Sequence, residues 1–210
     1  MKNINVEKYS FYLGIFFLAS APVISVFLLL ISLIRSSNNL KYFFNDFWNK
    51  ILLATSLLML TSCILQNFIG YEYPLDIDKS STWIGLINWI PLFWCFWAFQ
   101  PYLKNINSRK KTALFLISGT IPVIFSGLAQ YWFNITGPWQ ILQGTIIWYQ
   151  RPIEITDGLT GPFNNANYAG AWLAMVWPFV LANYKIDNSK IRKRFSIILI
   201  FLFIISIIFT

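Results

Sequence analysis

Long apolar stretches separated by short polar ones dominate this chain. Six of them, at 11–34, 51–70, 83–103, 112–133, 166–184 and 195–210, contain no Asp, Glu, Lys or Arg. A helix needs about 20 mostly apolar residues to cross the hydrocarbon core of a bilayer, and these stretches approach or exceed that. The pattern predicts an all-α fold: a polytopic transmembrane helix bundle in a single domain over 1–210. It has about six membrane helices, the last of them cut short at Thr210.

The first stretch has features of a secretory leader. Lysines precede it, and Ala19-Ser20-Ala21 has the small-residue spacing of a cleavage site. Pro22 disfavours processing there and the apolar run continues to Ile34, so the stretch reads as one membrane-spanning helix that is retained.

Charge placement gives the predicted sidedness, because cytoplasmic loops concentrate Lys and Arg. Arg35, Lys41 and Lys50 follow the first stretch. Lys104, Arg109, Lys110 and Lys111 follow the third, and Lys185, Lys190, Arg192, Lys193 and Arg194 the fifth. The alternate loops hold Lys79 and Arg151 among Glu72, Asp76, Asp78, Glu154 and Asp157. The basic loops are therefore assigned to the cytoplasm, and the long loop 134–165 to the outside. Counting back through six crossings puts the N-terminus, with Lys2 and Lys8, outside, against the same rule. A short helix over 42–48 is one way to change that parity.

Composition agrees. Hydrophobic residues make up 57% and charged residues 11%, with a mean hydropathy of +0.57. That leaves too little polar material to cover a water-soluble domain, which carries roughly a quarter charged residues. The net charge of +8 lies in short clusters between apolar stretches and does not gather into a nucleic-acid-binding face. Cys63 and Cys95 both lie in apolar stretches and histidine is absent, so neither a disulfide framework, a metal site nor a cofactor is predicted. Trp48, Trp83, Trp132, Trp139 and Trp148 fall at or beyond the ends of stretches, where indoles favour the membrane interface. The segment 139–149, too short and too polar to cross, is expected to lie in the outer interface as a partly helical, half-buried piece. A plain apolar loop is the alternative.

Only one region, 158–178, carries more than the pattern of a helix in lipid. Gly158, Gly161 and Pro162 are turn residues. Asn164, Asn165 and Asn167 crowd a helix start, where their side chains accept bonds from unpaired backbone N–H groups. Ala169, Gly170, Ala171 and Ala174 allow close helix approach, and Pro178 bends the run.

This region resembles the signature of the O-antigen ligase and polymerase family, membrane glycosyltransferases that use polyprenyl-diphosphate-linked glycans. Gly161, Phe163, Asn165 and Asn167 match it, Ala169 fits the small position after them, and Ala166 stands where the family usually has Pro. The likeness covers about twenty residues. It implies a multi-pass protein of the cytoplasmic (inner) membrane that transfers a lipid-linked oligosaccharide to an acceptor on the outer face. Its partners are then that glycan and membrane lipids.

In the family, outward-facing arginines hold the diphosphate. Arg151 is the only arginine in an outer loop and is the candidate for that contact. A bond to lipid phosphate, or a pair with Glu154, is the structural alternative for Arg151. Helix capping is the alternative for the asparagines. Solvated loop charges are the first reading of Glu154 and Asp157, and a general base for an acceptor hydroxyl the alternative. Family members are longer, and the ligases among them keep a further essential arginine and a histidine in a large C-terminal outer loop. By that likeness the chain is the N-terminal part of such a protein, inactive without its C-terminal half. A small-solute, bicarbonate-like transporter and a non-catalytic membrane subunit are the other readings.

Overall fold

A computed structural model describes residues 6–37, 43–68, 80–154, 157–186 and 189–210. Lys2, Lys41 and the acidic loop with Glu72, Asp76 and Asp78 lie outside the described residues. The described chain is helical apart from one small hairpin. In order it runs α1 (Val6–Phe17), α2 (Pro22–Ser36), α3 (Phe47–Phe68), α4 (Ser80–Ala98), α5 (Gln100–Leu103), α6 (Ile106–Phe133), β1 (Trp139–Ile141), β2 (Ile146–Trp148), α7 (Ala166–Ile186) and α8 (Lys190–Ile208). Of these, α3 and α6 are long and apolar enough to cross a membrane.

The chain falls into two compact units, Met1–Ser32 with Tyr102–Thr210, and Leu33–Pro101. In the smaller unit α3 packs along α4. Asp46 caps α3, its carboxylate accepting the Trp48 N–H at 2.8 Å. Asn67 donates to the Thr82 hydroxyl at 3.0 Å near one end of the pair. At the other end the wholly buried Asn49 accepts from Gln100 Nε2 at 3.0 Å. These polar contacts fix the ends, while most of α3 presents apolar side chains outward, including Leu57, Leu58 and Leu65.

The larger unit is built around α6, which packs on α1 and α7, while α7 packs on α8. Val123, Ile124, Leu173, Val176, Val180 and Phe203 are almost fully buried at its centre. Small residues bring the backbones together: a Cβ at Gly119 would run into the Phe16 carbonyl. At its C-terminal end α6 stops where Asn134 takes a left-handed φ of 50° and its N–H turns back to the Ala129 carbonyl.

Two expectations change. The first apolar stretch is not one helix. It breaks at Leu18–Ala21 into α1 and α2, because Pro22 has no N–H to continue the α1 ladder but is well suited to the first turn of a new helix. The second change is at 139–149, which is neither helical nor a plain loop. It forms an antiparallel hairpin pairing Trp139 with Trp148, Gln140 with Ile147 and Ile141 with Ile146. The Thr145 N–H reaches back to the Leu142 carbonyl at 3.1 Å. Leu142, Gln143 and Gly144 have φ of 52°, 53° and 86°, so the four-residue connection turns through left-handed backbone.

Candidate functional site

Beyond α6 the chain leaves the helix, makes the hairpin and then folds back against the helix it has left. The side chain that holds it there is Gln130, in the last turns of α6 and wholly buried. Its Oε1 accepts the N–H groups of Thr160 and Gly161, both at 2.9 Å. Its Nε2 donates to the Thr160 hydroxyl at 3.0 Å and to the carbonyl of Arg151. One amide thus satisfies four loop groups from two separate strands of loop, using both lone pairs and both hydrogens.

A second amide repeats the device from the loop side. Gln150 is buried and donates from Nε2 to the carbonyls of Ser126 (3.1 Å) and Ile135 (2.9 Å). Its backbone is also engaged: its N–H meets the Gly161 carbonyl at 3.1 Å, and its carbonyl accepts the Gly137 N–H at 2.8 Å. The Tyr149 N–H bonds the Pro162 carbonyl at 3.2 Å, so 149–150 and 161–162 run as a short paired ribbon against α6. Gly161 completes the fit. Its φ is +53°, and a Cβ there would lie 3.1 Å from the Val123 carbonyl and 3.3 Å from Ser126 Oγ. Both the left-handed backbone and the narrow gap select glycine. Leu159 fills the next gap, fully buried against Gly127, and its N–H bonds the Phe209 carbonyl at 2.7 Å.

The clasp sets the position of the residues singled out in the sequence. Arg151 has its carbonyl held by Gln130 and its N–H directed at the Thr160 hydroxyl, 3.3 Å away. Its side chain is exposed, and among the described residues it forms no ion pair with Glu154. Glu154 and Asp157 are exposed loop charges. Asn165 is the N-cap of α7, its Oδ1 accepting the Asn167 N–H at 2.7 Å, the structural role weighed for it above. The Asn167 side chain is exposed on the first turn. Phe163 is half-buried, its ring 6.3 Å from that of Trp172, whose indole N–H donates to the Thr120 hydroxyl at 3.1 Å.

Arg151 and Gly161 are therefore brought into one clasp, while Phe163, Asn165 and Asn167 form the adjoining start of α7. Gln130, Gln150 and Thr160 are not among the residues that the sequence singles out. The available signal was an amide in a stretch without charges: in lipid such a group must find partners within the protein. Among the described residues no group of three or more metal-ligating side chains occurs. Comparison of the chain with protein-family models, with curated proteins and with solved structures finds no match.

Proposed function

We propose that this chain is a polytopic protein of the cytoplasmic membrane, of the glycan ligase or polymerase type. It presents Arg151 on the outer face to the diphosphate of a polyprenyl-linked oligosaccharide. Two helices able to cross a membrane, α3 and α6, support the membrane setting. The alternation of basic and acidic loops supports its sidedness.

One observation carries the catalytic reading. The backbone of Arg151 is bonded through both its N–H and its carbonyl, yet its guanidinium is exposed and has no carboxylate pair among the described residues. A cation held on a fixed backbone and left unneutralised suits a bidentate phosphate ligand. When a glycan leaves diphosphate, negative charge grows on the phosphate oxygens, and a cation already in place stabilises it without reorganisation. The glycine and asparagines of 158–167 then shape the loop and start the helix beside that cation.

The test uses cells that carry the gene encoding this chain, with surface glycan read on gels and insertion read by membrane fractionation. Arg151→Ala should abolish glycan transfer with normal insertion. Arg151→Lys should retain a fraction, since an ammonium keeps the charge but loses the fork. Purified protein should bind a short polyprenyl diphosphate at least tenfold more weakly after Arg151→Ala. Unchanged glycan and unchanged binding in the correctly inserted variant would remove the reading.

A further inference from the structure

We propose that α1 and α2 form a re-entrant hairpin. It enters and leaves the bilayer on the face that carries the basic loops, and its exposed side takes the acyl chains of that leaflet. This rests on the membrane setting proposed above and not on glycan transfer.

α2 turns back onto α1 at Gly14. The Ser25 hydroxyl donates to the Gly14 carbonyl at 2.7 Å, and Leu29 closes over the same glycine. Farther from the tip, Tyr102 stacks on Phe11, ring centroids 4.7 Å apart, and its hydroxyl donates to the Ser32 carbonyl at 3.3 Å. Gly14 thus lies by Ser25 and Leu29, and Phe11 by way of Tyr102 near Ser32, the order of an antiparallel pair.

Length forbids either helix from crossing alone. At 12 and 15 residues they measure about 18 and 22 Å at 1.5 Å per residue, against a hydrocarbon core of about 30 Å. α6 gives the depth. Tyr12 stacks on Phe115 with centroids 5.2 Å apart, and Gly119 meets the Phe16 carbonyl, so α1 and α6 run in the same direction. Lys8 and Lys111 each precede the stacked Tyr12–Phe115 pair by four residues, which sets both ammonium-bearing residues at one level, at the basic end of α6. From Lys8 the hairpin rises about 14 Å to its turn. There the Ser20 carbonyl accepts the indole N–H of Trp148 at 2.7 Å, from the outer loop that has folded inward beside Ser126. Two segments entering from opposite faces meet within the thickness α6 spans. At the α1–α2 turn Ala19, Ser20 and Ala21 are buried by protein, the condition under which irregular backbone is tolerated at that depth.

The hairpin also resolves the charge parity. With α1 and α2 counted as no crossing, the parity of the remaining apolar stretches puts Lys8 on the side that the charge rule assigns to the basic loops. The face of α2 turned away from α1 exposes Val23, Val26, Phe27, Leu30 and Ile31, at 40–66% of their full area. That is an apolar strip within a span bounded by cations, and acyl chains are the surface that matches it.

Full-length protein lacking native thiols (Cys63→Ala, Cys95→Ala) carries one new cysteine at a time: Lys8→Cys, Arg35→Cys, Lys111→Cys or Asp157→Cys. A membrane-impermeant maleimide should label Asp157→Cys in right-side-out vesicles and the other three only in inside-out vesicles. Lys8→Cys labelling with Asp157→Cys, opposite to Arg35→Cys, would mean that the pair crosses, and would overturn the proposal. Lys111→Cys and Asp157→Cys labelling from one side would overturn both it and the membrane setting, whatever the glycan assays gave. A spin label at Phe27→Cys should be relaxed by oxygen and not by a water-soluble nickel chelate. Relaxation by the chelate, or shielding from both agents by a second copy, would overturn the lipid contact.

Discussion

The two helices long and apolar enough to cross a membrane use their apolar residues in opposite ways. In α6, 44% of the most apolar stretch is buried inside the protein; in α3 the figure is 6%. α6 carries Gly119, Thr120, Ser126, Gly127 and Gln130 among its buried residues, small or polar side chains that admit other backbone. α3 buries only Asn49 and Cys63 and points leucines outward. Similar hydropathy therefore hides two jobs. α6 is a scaffold read by its neighbours within the protein, and α3 presents an apolar surface outward.

Substitutions on the two helices separate these roles. The largest effect should come from Gly119→Ala on α6. Its methyl meets the Phe16 carbonyl, a backbone atom with no rotamer to yield, and overpacking of this kind costs about 3 kcal/mol or more. The thermal midpoint in detergent should collapse, and a midpoint within a few degrees of the parent would break the scaffold side of the comparison. On α3, Leu58→Asp should be nearly as costly, but at insertion and not in detergent. Leu58 is 70% exposed, and an aspartate at mid-helix costs about 3 kcal/mol in lipid. The signature is loss from the membrane fraction with little change in detergent melting; equal recovery of both proteins from membranes would break the surface side.

Smaller effects sharpen the contrast. Asn165→Ala removes the cap of α7 and should lower stability by about 1 kcal/mol, whereas Asn167→Ala should leave the melting curve in place. Gly85→Ala is the counterpart to Gly119→Ala. Nothing lies within 4 Å of the added methyl, so helix propensity alone acts and should stabilise by less than about 1 kcal/mol.

How far the sequence anticipated these features follows from the same contrast. The stretch 112–133 lies within α6, and the predicted start at Ala166 is the observed start of α7, because apolar length and an asparagine cap are local properties. The break in the first stretch was not visible to hydropathy, since Leu18, Ala19 and Ala21 are as apolar as the helices they separate. Pro22 was the signal, read there only as an obstacle to cleavage. The hairpin was missed because its isoleucines and glutamines fit a half-buried helix by composition. The pairing of Ile141 with Ile146 across the turn is a cross-strand contact that a composition count does not register. The clasp was missed for a different reason: Gln130 and Gln150 are joined to groups 20 or more residues away, and no spacing rule links them.

The clasp has an electrical consequence. Gln130, Gln150, Thr160 and the peptide groups they bind hold the loop with amides, a hydroxyl and carbonyls, none of which carries a net charge. A transmembrane voltage does work only on charge that moves through it, about 2.3 kcal/mol per elementary charge per 100 mV. The apparatus that positions Arg151 offers that field nothing to move. In the membrane setting proposed above, the platform should keep its shape whether the membrane is energised or depolarised.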